Sequence, residues 1–308
     1  MAIVDKHLQY ELAAAARIPI PRTFGPGSGE EAVELANDIS YPCLLKPFVG
    51  YGVADHFDGR RNAVVRDAAR LRSEFDRLAA AAVPCLVQEI IPGGDHAFCG
   101  YLSFWGRGGE ELAWITKQKL RQEPALFGDG TYQRTVDVPR VADLSRRFLQ
   151  TLGYVGVASA EFKYDVRDDT YRLIEVNPRA VSGNELAVAA GFDLPYLSYV
   201  YLVQGAVPAW EQRWDVHWIN ELRDLETLLR ETPTRRAAAR EWVRSLRHAE
   251  AFALGAWDDP APLLGALGGA AYRKVAGRLG LERPGVRSGR RSDASLEPAD
   301  APAPRVAD

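Results

Sequence analysis

The sequence predicts an α/β (α+β) chain, and three observations carry that prediction. Short apolar runs such as "YPCLLKPF" and "CLVQEII" alternate with amphipathic helical stretches over the first two thirds. Two longer segments, "AFCGYLSFWGRGGEELAWITKQKL" and "GVASAEFKYDVRDDTYRLIEVNPR", each pair two strand-like arms across a turn. Past Gly205 the pattern becomes mostly helical.

The elements follow in order. Residues 5–16 form a helix stopped by the two prolines of "RIPIPRT". "GPGSGEE" is a Gly/Ser turn that caps a helix near 29–39. "YPCLLKPF" is a strand and "VGYGV" a loop, and "AVVRDAARLRSEFDRLAAAA" contains an amphipathic helix. "CLVQEII" is a strand closed by "PGGD", and the aromatic-rich hairpin comes next. "EPALFGDGTYQRTV" reads as a Gly-containing loop, 140–152 as a helix, and the second hairpin turns at "RDDT". "SGNELAVAAG" opens a helix capped by Asn184 or Ser182. Residues 206–280 are expected to be helical, with Leu222, Leu225 and Leu229 on one stripe. From about residue 281 the chain is rich in Pro, Ser and charge and poor in large apolar residues, which predicts a disordered tail.

The 308 residues, 47% hydrophobic, suffice for a sizeable core. A net charge of −3 argues against a nucleic-acid binder. No apolar run approaches the roughly 20 residues that span a bilayer, and the N-terminus lacks a signal-peptide layout. The three cysteines, Cys43, Cys85 and Cys99, form no CxxC pair, which predicts reduced thiols and a cytoplasmic location. Five scattered histidines give no transition-metal pattern. Of 38 Lys and Arg residues only six are Lys, so each lysine is singled out.

The chemistry concentrates in "YRLIEVNPRAVSG". Glu175, Asn177 and Arg179 are spaced two apart, so a strand would project them to one side. The preceding arm alternates Val157, Ser159, Glu161 and Lys163, and the turn near Asp168 could bring Glu161 close to Glu175. Two carboxylates that close need a cation, and Mg²⁺ suits carboxylate and amide oxygens. Arg179 adds a fork for phosphate or carboxylate. The other reading is a solvated polar face. Lys46 ends an apolar strand beside a Gly loop, where it can meet phosphate as a point charge or simply be an exposed strand-end lysine. "CLVQEIIPGGD" can offer backbone groups to an adenine edge, with Glu89 accepting from a ribose hydroxyl or the purine amino group. Neither GxxxxGK[ST] nor a GxGxxG after a strand is present.

In their order, "DKHLQYELAAAARIPIPRT", "YPCLLKP…GYG", "CLVQEIIPGGD", "KQKLRQEP…FGDG", "GVASAEF" and "LIEVNPR" resemble the ATP-grasp superfamily of carboxylate–amine ligases over residues 5 to about 205. The resemblance implies two subdomains that sandwich the nucleotide, 1–87 and 88–205, followed by a helical region 206–280 and the tail 281–308. It implies that Glu161, Glu175 and Asn177 ligate two Mg²⁺ ions, with Mn²⁺ as a substitute. Lys6 and Lys46 resemble the lysines on the α- and β-phosphates. Gln88, Glu89, Ile90 and Ile91 resemble the hinge strand that meets adenine, with Glu89 and Asp95 near the ribose. Arg179 resembles the arginine at the γ-phosphate and acyl phosphate. Lys119 and Arg121 look like the inner face of the nucleotide or carboxylate site, and "FGDGTYQRTV" like a loop over it. Lys117, Lys163 and Lys274 receive no role.

The implied reaction joins a small-molecule carboxylate to an amine at the expense of ATP. The family normally carries an α/β domain before the "DK" helix, so the expectation includes a homodimer mate or partner that supplies it. Two alternatives stay open: a non-catalytic or partner-dependent ATP-binding subunit or degenerate homologue, and an ATP-grasp kinase or acid–thiol ligase.

Overall fold

A computed structural model describes residues 2–57, 61–256 and 258–278. In chain order the helices are α1 (Lys6–Ala15), α2 (Gly29–Leu35), α3 (Ala68–Ala80), α4 (Pro139–Thr151), α5 (Asn184–Ala189), α6 (Leu194–Gln204), α7 (Glu221–Glu231), α8 (Arg235–His248) and α9 (Ala261–Arg278). The strands are β1 (Thr23–Phe24), β2 (Cys43–Pro47), β3 (Ala63–Val65), β4 (Cys85–Glu89), β5 (Phe98–Trp105), β6 (Glu111–Glu123), β7 (Asp129–Thr135), β8 (Gly156–Asp165), β9 (Thr170–Asn177), β10 (His217–Ile219) and β11 (Ala251–Phe252).

Local chemistry sets the boundaries. The carboxylate of Asp5 accepts from the His7 and Leu8 amides and starts α1, Ser28 caps α2, and Asp67 caps α3. Asp193 starts α6, and Gly205, at φ +77°, ends it. Before α5 the cap position is Gly183 at φ +85° with no side-chain hydrogen bond, so neither Asn184 nor Ser182 serves as the cap.

Two sheets form. A four-stranded sheet in the order β1-β4-β2-β3 is backed by α2 and α3 through Leu45, Val87, Leu71, Phe75 and Leu78. A seven-stranded sheet has the order β11-β10-β7-β6-β5-β8-β9. One face of the large sheet packs Tyr101, Trp105, Ala160 and Phe162 against Phe148 and Leu149 of α4. On its other face Leu102, Phe104, Ala113 and Ile115 are buried under Leu186, Ala187, Leu194 and Leu197 of α5 and α6. The remainder of that second face looks toward the small sheet and forms the floor of a cleft.

Three further expectations change. "FGDGTYQRTV" is mostly strand β7, because Arg121, Lys119 and Lys117 of β6 pair with it. The region 206–280 contributes β10 and β11 to the large sheet as well as helices. On α7 the leucine stripe is not the buried face: Glu221, Asp224, Thr227 and Leu228 are buried and Leu229 is exposed. Buried polar partners draw that face inward, since Asp224 meets Arg121 and Glu221 accepts from the Leu254 and Gly255 amides. The expected tail at 281–308 lies outside the described residues. Among the described residues, no helix is long and apolar enough to cross a membrane.

Strand β9 is an edge of the large sheet, and the N-terminal segment covers it. The Gln9 side chain donates to the Val176 carbonyl at 2.9 Å and accepts from the Val176 amide at 2.9 Å. Tyr10 Oη donates to the Ile174 carbonyl, and the Leu173 amide donates to the Pro19 carbonyl. Replacing Gln9 by Leu would leave both polar groups of buried Val176 unpartnered. The expected loss is about 2–4 kcal/mol of stability, read by denaturant titration, whereas Tyr10→Phe should cost about 1 kcal/mol.

Candidate functional site

The cleft between the sheets encloses a cavity of about 660 Å³, within the size range of small-molecule sites. Its two walls are built by strand alternation. On β2, Cys43 and Leu45 enter the small core while Leu44 and Lys46 line the cleft. On β5 and β6, Phe98, Gly100, Lys117 and Lys119 continue the face that is apolar further along at Leu102, Phe104, Ala113 and Ile115.

The expected carboxylate pair is present. Glu161 and Glu175 are directly opposite in the β8–β9 register, and Ser159 is opposite Asn177. A bulge makes this possible. Glu161 pairs with Glu175 while the next residue, Phe162, pairs with Leu173, so Ile174 is the extra residue. Without it Glu175 would share a face with core residues Tyr171 and Leu173. Lys6 Nζ lies 3.1 Å from Glu175 Oε1, and Lys119 Nζ lies 2.7 Å from Glu161 Oε2. Burial pushes the Glu175 carboxyl up, but Lys6, with Lys46 and Arg61 beyond, outweighs it and holds the group below the usual range.

Lys6 opens α1, whose first turn is tied down by the Lys6 amide donating to the Phe48 carbonyl. Lys46 is buried, with the Tyr10 hydroxyl at 3.4 Å as its nearest hydrogen-bonding group. Burial pulls its pKa down to about 8, against the opposing pull of Glu175 and Glu161. The hinge residues Gln88, Glu89, Ile90 and Ile91 also line the cleft. Glu89 is engaged from behind, accepting from the Arg22 amide at 2.8 Å and from Arg167 at 3.0 Å. Arg179 lines the mouth just past β9 and is exposed. Lys119 reaches the cleft with all three ammonium donors in use, to Glu161, the Gln122 side chain and the Gly128 carbonyl.

Two expected site residues lie elsewhere. Arg121 does not line the cleft: it grips Asp224 with two hydrogen bonds of 2.9 and 2.8 Å and also donates to Ser245. The β6 register shifts between Lys119 and Arg121, and that irregularity turns Arg121 toward α7 and α8. Asp95 does not line it either. Its carboxylate accepts from the Gln122 amide, the Gln122 side chain and the Leu126 amide, and so holds the β6–β7 turn in place.

Two residues without an expected role belong to the cleft. Lys117 and Lys163 line it and are almost fully buried. Burial pulls both to about 8, helped in each case by the charge of Lys119. The signal was in the spacing: Lys117 shares parity with Lys119, and Lys163 with Glu161. Among the described residues the lining holds seven Lys and Arg side chains against four carboxylates, an excess suited to a polyanion.

The donor set fits a hard cation. Among the described residues no group of three or more His, Cys, Asp or Glu side chains has metal-binding geometry. The two facing carboxylates and the Asn177 amide are hard oxygen donors, and such a set would leave positions for water and phosphate oxygens, as Mg²⁺ prefers.

A family model described as "ATP-grasp in the biosynthetic pathway with Ter operon" matches residues 105–222. The chain is 25% identical over 209 residues to the D-aspartate ligase of Enterococcus faecium (strain Aus0004), a match covering 62% of this chain and 48% of that protein. It is 27% identical over 174 residues to the C-terminal section of the carbamoyl phosphate synthase large chain of Methanopyrus kandleri, covering 53% of this chain and 30% of that protein. The chain thus spans half or less of the length of these curated relatives. Among solved structures, an ADP complex of N5-carboxyaminoimidazole ribonucleotide synthetase superposes with a TM-score of 0.60 at 15% identity, covering 80% of this chain and 71% of that one. Biotin carboxylase from Campylobacter jejuni gives 0.58 at 18% identity, covering 70% and 49%. At these identities the structural likeness speaks for the fold.

The position of Arg121 is testable. Arg121→Met should leave fully buried Asp224 with an uncompensated charge and cost about 3 kcal/mol or more in thermal or denaturant unfolding. Nucleotide affinity of the folded fraction should stay close to wild type.

Proposed function

Because the chain belongs to the ATP-grasp superfamily, we propose that its cleft binds Mg–ATP and activates a substrate carboxylate as an acyl phosphate for attack by an amine. The observation that carries this reading is the opposed pair Glu161–Glu175 beside Asn177, ringed by lysines from α1, β2 and β6.

Lys6 and Lys46 hold the phosphates from the two sides of the cleft. The hinge Gln88–Ile91 meets adenine, and Glu89, fixed by Arg22 and Arg167, sits at the ribose end. Glu161, Glu175 and Asn177 would hold two Mg²⁺ ions, which supply charge neutralisation at the transferring phosphoryl group. A carboxylate oxygen of the acid attacks the γ-phosphorus in line. The bond from phosphorus to the β-bridging oxygen breaks, and its electron pair leaves on ADP. Arg179 and the nearby lysines spread the charge of the transferring group. The amine then attacks the acyl carbon, loses a proton, and inorganic phosphate departs with the former carboxylate oxygen. No protein nucleophile takes part; the chain positions reactants and excludes water. The similarity to a D-aspartate ligase and to an N5-carboxyaminoimidazole ribonucleotide synthetase supports ligase chemistry on small molecules.

The direct test is ADP release in the presence of a panel of acids, with hydroxylamine as trapping amine. Hydroxamate should form together with ADP; folded protein that binds nucleotide but never yields ADP with any acid would sink the reading. A phosphorylated product stable to hydroxylamine would mark a kinase, and a thioester an acid–thiol ligase. Glu175→Gln should lower ADP formation by about two orders of magnitude while leaving the fold intact.

Lys46 adds a pH dependence. Its pKa of about 8 lies below that of an unfolded lysine, so stability of the protein rises as pH climbs through that interval. Phosphate binding favours the ammonium form, in the same direction as Glu161 and Glu175, which face it with the Tyr10 hydroxyl. Nucleotide binding should therefore take up protons near pH 8. Affinity should fall about tenfold between pH 7 and pH 9 from Lys46 alone, and Lys46→Met should flatten that slope in calorimetry.

A further inference from the structure

Four residues form one row across the cleft floor. Glu175 pairs with Glu161, Glu161 with Gly100, and Gly100 with Lys117, on β9, β8, β5 and β6 in turn. Three of these positions carry charge, and the fourth has no side chain. The gap is occupied from one side: a Cβ on Gly100 would lie 3.0 Å from Lys117 Cε and 3.2 Å from its Cγ. The lysine stem therefore lies across the glycine, and Glu161 is the carboxylate whose charge acts on it most.

That ammonium group has no partner. Lys117 is 7% exposed, lines the cavity, and makes no hydrogen bond or ion pair among the described residues. Burying an uncompensated cation is costly unless a ligand supplies the anion. The neighbouring cations are already engaged. Lys6 meets Glu175, Lys119 has spent its three donors, and Arg121 is withdrawn to Asp224. Lys46 and Lys163 are the other buried lysines without an ion pair among the described residues, but Lys46 stands on β2, in the opposite sheet, with the Tyr10 hydroxyl at 3.4 Å, and Lys163 lies opposite Phe98, 4.7 Å from its ring centroid. β6 stands two strand spacings from β8, about 10 Å, so a small anion over Gly100 would touch Lys117 while lying beside the Glu161–Glu175 pair.

We propose that Lys117, leaning over Gly100, binds the carboxylate of the acid substrate and presents it to the γ-phosphate. This rests on the acid-activating reading of the cleft. The ligand class is a carboxylate small enough to lie over Gly100. Its second oxygen stays on Lys117 while the first attacks, so the residue touches the reacting group and is a catalytic residue.

The experiment uses the full chain, with acetate, succinate and glutamate as probe acids and a non-hydrolysable ATP analogue with Mg²⁺. Lysine acylation followed by mass spectrometry reports protection of Lys117, calorimetry reports nucleotide affinity, and ADP release reports turnover. In wild type, at least one probe acid should protect Lys117 when nucleotide is bound. Lys117→Gln should keep nucleotide affinity within about threefold and raise the KM for the acid at least tenfold. Gly100→Ala keeps the charge but displaces the lysine, and should give the same selective loss. Arg in place of Lys117 should restore part of the acid response, which a purely structural role would not predict. The inference is overturned if Lys117→Gln weakens nucleotide and acid alike, if the acid response is unchanged, or if no probe acid protects Lys117 in the nucleotide-bound protein. Failure of wild type to bind Mg–nucleotide at all would instead strike at the ATP-dependent reading itself.

Discussion

Two carboxylates face each other across neighbouring strands, and much of the cleft can be derived from that opposition. Glu161 and Glu175 would repel at cross-strand distance, more strongly in a partly water-excluded cleft. Each therefore has its own lysine, Lys119 from β6 and Lys6 from α1. Bringing Lys6 there requires α1 to be fixed against β9, and Gln9 and Tyr10 do this through the backbone of Ile174 and Val176. The same contacts close the sheet edge. One short helix thus supplies a cation, satisfies an edge strand and aligns a bulged strand.

The large sheet uses one alternation for two purposes. Along β5 and β6 the same face runs from Leu102, Phe104, Ala113 and Ile115 to Phe98, Gly100, Lys117 and Lys119. The apolar half is covered by α5 and α6, and the charged half is left to the cleft. Because the period is unbroken, the floor inherits the rigidity of the packed core a few residues away. That suits a reaction in which positioning carries the chemistry.

This also explains what was legible in the sequence. Glu161, Glu175, Asn177 and Lys46 stood at strand-like spacing beside glycine or proline, and period-two reasoning placed them well enough. It placed Glu175 on the cleft side for an incomplete reason, because strict alternation with Leu173 would have buried it; the bulge at Ile174 corrects the face, and no local signal announces it. The same blindness misled the reading of Arg121, whose parity with Lys119 is broken by an irregularity in β6. Asp95 failed differently: its partners, Gln122 and Leu126, are set by tertiary approach. Strands β10 and β11, of three and two residues, are too short to leave a periodic trace. Lys117 and Lys163 were legible and unused, since both share parity with residues already chosen.

The lysine skew acquires a physical meaning from these positions. In a chain with 32 arginines, Lys6, Lys46, Lys117, Lys119 and Lys163 all line one cleft. Arg61 and Arg179 line it as well, but other arginines take fixed pairs, as in Arg121 with Asp224 and Arg167 and Arg172 with Asp165. A guanidinium cannot shed its proton, and its planar fork suits a permanent carboxylate partner. An ammonium group is a compact charge that burial can partly neutralise, as the lowered pKa values of Lys46, Lys117 and Lys163 indicate. A cleft crowded with cations can relieve its own repulsion when empty by giving up protons, and recover them when a polyanion enters. Lysines with pKa values of about 8 stay mostly protonated near pH 7 and shed the proton above it, a response that arginines in the same positions would lack. The two cations thus divide by what each can do: guanidinium groups hold permanent carboxylate partners, and ammonium groups stand where burial can lower the charge.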